Sequence, residues 1–262
     1  TGMKWYRIII PLIAALLISG CAVFRPAREL EITPAEKANE VRDLLSVLKT
    51  QNDALRNFKG LGNIQIRRNS RLQLDQRVAW IGEKPVKLSI AVLISGYPAV
   101  KLATDGKWLY YLEVHGQDTT FRKISARDPS LKKLISIPIS SSEVITLLAG
   151  QIPIPKFDSA ALIEEKAPPG YVLVLKEKWW GVRQKIYYDQ SISEVHRVDV
   201  FQRSGALKYR AEIENRQSIY GFQVPLQLRL LTHDGADCLL MIDRYWVNVD
   251  PPPSVFVLAP PK

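Results

Sequence analysis

The sequence has 262 residues, a formal net charge of +10 and two cysteines, Cys21 and Cys238. This length suits a single domain, since large β structures often run to roughly 200–250 residues. Two cysteines allow one disulfide at most and therefore exclude a disulfide-rich scaffold. The positive charge would suit either nucleic acid or an anionic membrane surface.

The N-terminal segment has the pattern of an export signal. Met3–Arg7 is basic, and residues 8–18 are apolar apart from Pro11. A transmembrane helix needs roughly 20 apolar residues, so this run is too short to span a membrane. A basic start, a short apolar centre and small residues at the end are typical of a secretory signal. We therefore predict a signal peptide over residues 1–20.

The end of this signal, Leu17-Ile18-Ser19-Gly20-Cys21, resembles the lipobox of bacterial lipoproteins, in which a small residue precedes the cysteine. The resemblance implies diacylglyceryl attachment to the Cys21 sulfur, cleavage before it and acylation of the new amino terminus. Residue 22 is alanine, whereas aspartate there retains enterobacterial lipoproteins in the inner membrane. The resemblance therefore implies a lipid anchor in the outer membrane, facing the periplasm. The alternative is an ordinary signal peptide with an incidental cysteine.

Acylation of Cys21 would leave Cys238 without a disulfide partner. Its setting in ADCLLMIDRYWVNV predicts a small buried side chain. An exported and anchored protein meets anionic lipid first, so we expect membrane lipid and no nucleic acid among its partners. Residues 21–32 lack a clean periodicity and contain Pro26, which predicts an acylated tether.

The first folded element is predicted to be an amphipathic helix. Thr33 is a natural N-cap, Pro34 suits the first helical position, and Glu36 completes a capping box. Five apolar residues then form one stripe at helical spacing, namely Val41, Leu44, Leu45, Leu48 and Leu55.

Beyond residue 60 the apolar pattern changes to a period of two, which is typical of antiparallel strands with one covered face. The pattern is clearest in VKLSIAVLI (86–94), LKYRAEIEN (207–215) and IYGFQVPLQLRLL (219–231). Turn signals at 104–107, 203–205 and 233–235 predict hairpin connections.

A second helix is predicted after Ser140, which forms a capping-box pattern with Glu143, and Gly150 ends it. The segment PKFDSAALIEEKAPPG (155–170) is predicted to be a crossover loop. The tail DPPPSVFVLAPPK (250–262) is predicted to contain a short edge strand. The expected order is a helix, four or five strands, a helix, a loop and five or six further strands.

This order resembles the LolA/LolB lipoprotein-localisation superfamily of Gram-negative bacteria, and in particular its LolB-like outer-membrane members. The matching features are the lipobox, the capped helix leading into FKGLGNIQIR (58–67), and the tryptophan-bearing strands of residues 78–112. The resemblance implies a mainly β (α+β) fold over residues 33–262, an incomplete antiparallel β-barrel covered by helices. In that family the apolar space takes up acyl chains of a transported lipoprotein. The period-two pattern alone leaves a sandwich, a closed barrel and a half-barrel open.

No catalytic motif occurs in the sequence, since HExxH, G-x-S-x-G, a P-loop and paired CxxC are all absent. His115, His196 and His233 lie far apart, and we expect them to face solvent or bond locally. Glu164 and Glu165 are adjacent and would point to different sides, which does not support a glycosidase pair. We expect no enzyme activity, no cofactor and no metal.

Large apolar side chains of the alternating strands are the candidate ligand site. They line a cavity between sheet and helices if that space is open, and they fill an ordinary core if it is closed. The candidates are Trp80, Leu88, Ile90, Trp108, Tyr110, Tyr209, Tyr220, Phe222, Leu226 and Leu228.

Two turns are candidates for membrane contact. In KEKWWGVRQK (176–185), Trp179 and Trp180 lie among cations, and indole rings prefer the bilayer interface. The alternative is that Trp179 faces the core. In ISGYPAV (94–100), either Ile94 or Tyr97 would correspond by position to the exposed apolar residue that assists transfer in the superfamily's receptors.

These observations predict an acylated, monomeric outer-membrane lipoprotein that binds acyl chains of lipoproteins or lipids without covalent chemistry and assists their delivery to the outer membrane. The resemblance implies that lipoproteins are handed over by a periplasmic carrier. The alternative is a structural or scaffolding envelope lipoprotein with a packed barrel that recruits another envelope protein. An open apolar cavity would favour the first function.

Overall fold

The computed structural model describes residues 35–116 and 118–260. The predicted signal peptide, Cys21 and the tether lie outside these residues. Within them the chain forms three α-helices, thirteen strands and a short 3-10 helix over Pro253–Phe256. The helices are α1 (Ala35–Thr50), α2 (Lys132–Ile135) and α3 (Ser141–Leu148). The strands are β1 (Asn57–Arg68), β2 (Arg71–Glu83), β3 (Lys87–Ile94), β4 (Tyr97–Thr104), β5 (Trp108–His115), β6 (Asp118–Ser125), β7 (Ser159–Lys166), β8 (Pro169–Glu177), β9 (Gly181–Tyr188), β10 (Val195–Phe201), β11 (Leu207–Ile219), β12 (Phe222–Leu231) and β13 (Ala236–Val247).

All thirteen strands form one sheet in the order β6-β5-β4-β3-β2-β1-β13-β12-β11-β10-β9-β8-β7. Every neighbouring pair is antiparallel, and β1 pairs with β13 to join the two halves. The sheet is not closed, because β6 and β7 are its two ends. Residues 126–158, which include α2 and α3, connect these ends. The predicted mainly β, antiparallel class is confirmed, and there are more strands than the sequence predicted.

One face of the sheet, here called the packed face, carries Trp80, Leu88, Tyr209 and Leu228 and is buried together with apolar side chains from the helices. The predicted period of two is confirmed on β11, where Tyr209, Ala211 and Ile213 are all buried. The opposite face of the sheet is here called the outer face.

The two predicted helices are present. Helix α1 buries Val41 and Leu48 in the main core cluster, and Leu55 in the turn after it is fully buried. Helix α3 begins with the predicted capping box: the Ser140 amide donates to Glu143 Oε2 at 2.8 Å, and the Glu143 amide donates to Ser140 Oγ at 3.3 Å. Among the residues described here, no helix combines the length and apolar character that a membrane span requires.

Two predicted elements differ from the structure. Half of the predicted crossover loop forms β7, where Leu162 is buried and pairs directly with Leu173 of β8. The flanking prolines obscured an eight-residue strand. The tail forms a 3-10 helix instead of the predicted edge strand, since the proline ring of Pro253 fixes φ near the helical value and suits the first position of a helical turn. Its Phe256 is buried beside Lys87, near β3 and β4.

Candidate ligand-binding cavities

The main candidate site is an apolar cavity between the packed face and the helical segment. It is lined by twelve side chains that carry no charge: Ile64, Val78, Trp80, Ile90, Leu131, Ile135, Val144, Leu148, Leu228, Leu230, Cys238 and Leu240. The lining therefore comes from both halves of the sheet and from one wall of helical residues.

The strand register explains how the sheet side of this cavity is built. Direct cross-strand partners share a face. Ile64 on β1 pairs with Leu240 on β13, which pairs with Leu228 on β12, so three lining residues form one row. Next to this row, Trp80 on β2 pairs with Ile90 on β3.

The cavity has a volume of about 60 Å³ in this conformation. A dry apolar cavity of about 150 Å³ holds one benzene molecule, so this space is too small for an acyl chain. The wall opposite the sheet consists of Leu131, Ile135, Val144 and Leu148. Entry of a long apolar chain therefore requires that α2 and α3 move away from the sheet.

Two polar atoms lie in this apolar surrounding. The Trp80 indole nitrogen is buried and has no hydrogen-bond partner within residues 35–116 and 118–260. Cys238 is a buried free thiol, as the sequence predicted, and burial raises the pKa of this thiol to about 12. At neutral pH Cys238 is therefore an un-ionised apolar surface of the cavity wall.

Seven of the ten predicted cavity residues lie on the packed face or partly buried beside it. Trp80, Ile90 and Leu228 line the cavity, while Leu88 and Tyr209 are buried in the same core cluster. Phe222 is half-buried against that cluster. Leu226 is half-buried outside the cavity lining.

The other three predicted cavity residues, Trp108, Tyr110 and Tyr220, do not lie on the packed face. Leu109 and Tyr111 lie opposite Thr104 and Leu102 of β4, so they share the packed face, and Tyr110 takes the outer face together with Trp108. Lys123 stacks over both the Trp108 and Tyr110 rings there. The prediction placed Trp108 and Tyr110 on the inside, whereas the strand phase places Leu109 and Tyr111 there.

Tyr220 differs for another reason. It is 92% exposed in the turn between β11 and β12, where its φ is positive. Its apparent phase with Phe222 and Val224 placed it on the strand, although Gly221 with φ of +85° completes a tight turn at this point.

Several cavity residues were absent from the sequence prediction. Leu131 and Ile135 belong to the short α2 and its preceding turn, a stretch too short for a periodic signal. Ile64, Leu230 and Leu240 could have been found, because they continue the period-two pattern of β1, β12 and β13. Val144 and Leu148, which lie one turn apart on the predicted second helix, also line the cavity.

The predicted membrane-contact residues are all exposed, and they lie at one end of the sheet. The turns β1–β2, β3–β4, β5–β6, β8–β9, β10–β11 and β12–β13 form this end, here called the hairpin rim. Ile94 and Tyr97 flank the β3–β4 turn and are 48% and 78% exposed. Trp179 is 81% exposed and Trp180 is 42% exposed in the β8–β9 turn, so the alternative of a core-facing Trp179 is wrong.

Cations accompany the two indoles at the hairpin rim. The Arg203 guanidinium lies 4.7 Å from the Trp180 ring centroid, and Lys178 Nζ lies 5.5 Å from that of Trp179. Arg203 comes from the neighbouring β10–β11 turn, so two turns build one aromatic and basic patch.

A second cavity, of about 350 Å³, lies on the other side of α3 and has a mixed lining. It is bordered by the end of α1, the first turns of α3, the proline-containing segment 151–155 and strands β9 and β10. Its lining residues are Leu48, Lys49, Ser142, Glu143, Thr146, Gln151, Ile152, Pro153, Ile154, Pro155, Gln184 and Val200.

The deeply buried carboxylate of the sheet is part of a structural ion cluster rather than a cavity. Burial of Asp199 opposes its ionisation, but hydrogen bonds from Arg197 and Arg210 outweigh burial and hold the pKa of this carboxyl below its ordinary value. Arg210 Nε donates to Asp199 Oδ1 at 2.7 Å. Across the described part of the chain, no group of three or more His, Cys, Asp or Glu side chains is arranged to hold a metal ion.

In sequence, the chain matches no protein-family model and no curated protein. In fold, it is similar to a LolA superfamily protein from Nitrosomonas europaea, with a TM-score of 0.55 at 13% identity over 82% of this chain and 97% of that one. It is also similar to a DUF1329 family protein from Desulfovibrio piger, with a TM-score of 0.52 at 13% identity over 84% and 96%. A putative outer membrane lipoprotein-sorting protein domain from Vibrio parahaemolyticus gives a TM-score of 0.45 at 9% identity over 82% and 94%. The first of these likenesses shows a LolA-like fold, as the resemblance in the sequence implied.

Proposed function

We propose that this protein is an outer-membrane lipoprotein that binds the acyl chains of lipoproteins or lipids between its sheet and its helices and assists their delivery to the outer membrane. The observation that carries this proposal is the wholly apolar lining of the cavity beside Trp80, in a LolA-like fold. An apolar lining fits an acyl chain, since each buried methylene stabilises binding by about 0.8 kcal/mol. The protein acts by shielding and release, without covalent chemistry.

In this proposal the helices cover an incomplete barrel, and α2 and α3 form its movable cover. Val144 and Leu148 occupy the space next to Leu228 that an acyl chain would take. The incoming chain replaces these helix contacts with contacts of its own. Ligand-free protein therefore keeps a nearly filled core, which stabilises the sheet until cargo arrives.

The anchor and the rim define where the cargo goes. We propose acylation at Cys21, with residues 21–32 as the tether, so that the domain stays at the periplasmic face of the outer membrane. Trp179, Trp180, Ile94 and Tyr97 on the hairpin rim then contact lipid during release. Exposed indoles beside cations favour an anionic bilayer interface.

Direct binding of a fluorescent fatty acid tests whether the protein binds acyl chains. The full chain with Cys21→Ser carries no acyl group of its own and should bind cis-parinaric acid saturably. Cys238→Phe places a large ring in the cavity and should weaken this binding at least tenfold. Val114→Phe places the same ring at an exposed position and serves as the matched control. Equal binding by all three proteins would contradict the proposal.

A scaffolding role is the second candidate, and the small volume of the cavity favours it. A core that never opens would serve only to hold the outer face in shape for another envelope protein. Native mass spectrometry separates the two, because a lipid carrier isolated from cells retains lipid and a packed scaffold does not.

A further inference from the structure

Helix α3 separates two cavities of different chemistry. Val144 and Leu148 face the apolar cavity, whereas Glu143 and Thr146 border the larger mixed one. The two spaces are therefore one helix apart, and a ligand with an apolar part and a polar part could occupy both.

The mixed cavity contains a polar side chain with unused hydrogen-bonding capacity. Gln184 on β9 is fully buried, and its cross-strand partners are Val200 and Leu175. Neither Gln184 Nε2 nor Gln184 Oε1 has a hydrogen-bond partner within the described ranges. Buried side-chain amides are normally paired, so an unpaired one that borders a cavity points to a ligand.

The other half-buried or buried polar groups around this cavity are already paired, whereas Lys49 at its border is exposed. The Glu143 carboxylate accepts hydrogen bonds from Lys208 Nζ at 3.0 Å and from the Tyr209 hydroxyl at 3.0 Å. Gln151 donates to the Gln51 carbonyl at 2.6 Å and accepts from Lys84 Nζ at 3.1 Å. Among the buried polar atoms that border this cavity, free capacity is therefore concentrated at Gln184.

The pairing chemistry of Gln184 selects one ligand class. A side-chain amide presents a donor and an acceptor side by side, which match the acceptor and donor of another amide. A carboxylate would use only the donor, and a cation would use only the acceptor. The volume of about 350 Å³ falls within the roughly 300–1,000 Å³ of small-ligand sites.

We propose that Gln184 binds a backbone amide of the peptide that follows the acylated residue of a cargo lipoprotein. The inference rests on the proposed function, since acyl chains would occupy the apolar cavity on the other side of α3. The protein then recognises both the lipid and the polypeptide of its cargo, and a free fatty acid uses only half of the site.

The test uses the full Cys21→Ser chain with ¹⁵N-labelled glutamine and the neutral peptide N-acetyl-Ser-Ser amide. The side-chain NH₂ signal that is missing in Gln184→Leu identifies Gln184. We expect this signal to shift saturably with peptide, and the depsipeptide in which esters replace the amides to bind at least tenfold more weakly. Absence of a saturable shift would overturn the inference.

The matched variants separate binding from structure. Gln184→Leu removes both unpaired atoms and should lower peptide affinity at least tenfold while the melting temperature stays equal or rises. Gln217→Leu makes the same change on an exposed part of β11 and should leave affinity unchanged. Unaltered peptide affinity in Gln184→Leu would refute the inference, and a lowered melting temperature with unaltered affinity would assign Gln184 a purely structural role.

Binding of cis-parinaric acid to the same samples reports on the proposed function separately. Fatty-acid binding without peptide binding contradicts only the role of Gln184. Absence of fatty-acid binding contradicts the proposed function, while the peptide titration still decides whether the Gln184 site exists.

Discussion

The Tyr245 hydroxyl of β13 donates a buried hydrogen bond of 2.8 Å to the carbonyl of Leu148, the last residue of α3. The Tyr245 ring also stacks on Phe58, with 5.6 Å between the ring centroids. One side chain therefore fixes the end of the helix that divides the two cavities and packs into the core below it.

Tyr245→Phe keeps the stacked ring and removes only the hydrogen bond. We expect the free energy of unfolding to fall by about 1–2 kcal/mol, because the Leu148 carbonyl is left buried without its donor. Fatty-acid association should become faster, since α3 is held less firmly. Urea titration and stopped-flow fluorescence measure the two effects. An unchanged association rate would mean that α3 does not control entry.

Gly60 and Trp80 are directly paired on β1 and β2, and a Cβ at position 60 would lie 2.2 Å from Trp80 Cζ2. Gly60→Ala should therefore push the indole into the apolar cavity, weaken fatty-acid binding and destabilise the fold by about 1–3 kcal/mol. Adding Trp80→Phe provides room for the new methyl group. We expect the double variant to be more stable than the sum of the single effects predicts, whereas strict additivity would contradict a steric cause.

The Cys238 thiol reports on opening of the apolar cavity. In the Cys21→Ser chain it is the single remaining thiol. Since burial raises the pKa of Cys238 to about 12, its reaction with a disulfide reagent at pH 8 should be slow in the folded protein. We expect Tyr245→Phe to accelerate the reaction and a bound fatty acid to slow it. A rate equal to that of the urea-unfolded chain would show that the thiol is accessible without opening.

Asp199 should make stability depend on pH in the acidic range. The folded-state pKa of its carboxyl lies below the ordinary value of about 3.9, so its contribution is present above about pH 4 and is lost as the pH falls through the folded-state pKa. Asp199→Asn should lower the free energy of unfolding by about 3 kcal/mol at pH 7 and remove this part of the acid dependence.

Asp75→Asn is the control, because it alters a carboxylate whose hydrogen bonds are exposed. Its free energy of unfolding should stay within about 0.5 kcal/mol of the parent value. Urea titrations between pH 3 and pH 7 provide the comparison, and parallel curves for parent and Asp199→Asn would contradict the assignment.

The hairpin rim should bind vesicles through its indoles. Replacing both Trp179 and Trp180 with serine in the Cys21→Ser chain should weaken binding to anionic vesicles several-fold, and higher salt should weaken binding of the parent. Tyr220→Ser is the matched control, because Tyr220 is 92% exposed at the opposite end of the sheet. Vesicle sedimentation measures both variants. Unchanged binding in the double tryptophan variant would exclude this patch as the lipid contact.

Local patterns predicted most of the fold. The capping box at Ser140, the hairpin turns and the alternation on β11 and β12 are decided by neighbouring residues, and all are present in the structure. Strand β7 was missed because eight residues between proline-containing segments carry a weak period-two signal. Its pairing with β8 is a tertiary contact, which a local pattern does not contain.

The cavity residues depended on strand phase, and here prediction was less successful. Trp108 and Tyr110 were assigned to the inside by size, although Leu109 takes the packed face of β5. The buried, unpaired amide of Gln184 could not be predicted from the sequence, because a glutamine on an alternating strand gives no indication that its side chain lacks a hydrogen-bond partner. Only the positions of α3 and segment 151–155 reveal the space beside it.

Within the segment that connects β6 and β7, residues 129–151 take no part in the pairing of the thirteen strands. The backbone-to-backbone hydrogen bonds described for residues 129–151, such as Leu131 amide to Ile139 carbonyl and Ala149 amide to Ile145 carbonyl, are made within that segment. The ladders of the thirteen strands do not include it. Outward movement of this segment would break side-chain hydrogen bonds to the sheet, such as those of Tyr245 with the Leu148 carbonyl and of Tyr209 with Glu143, but it would break no strand pair. Under the proposed function, cargo loading and global unfolding would therefore be separable events, and amides of α3 should exchange with deuterium long before those of β1 and β13.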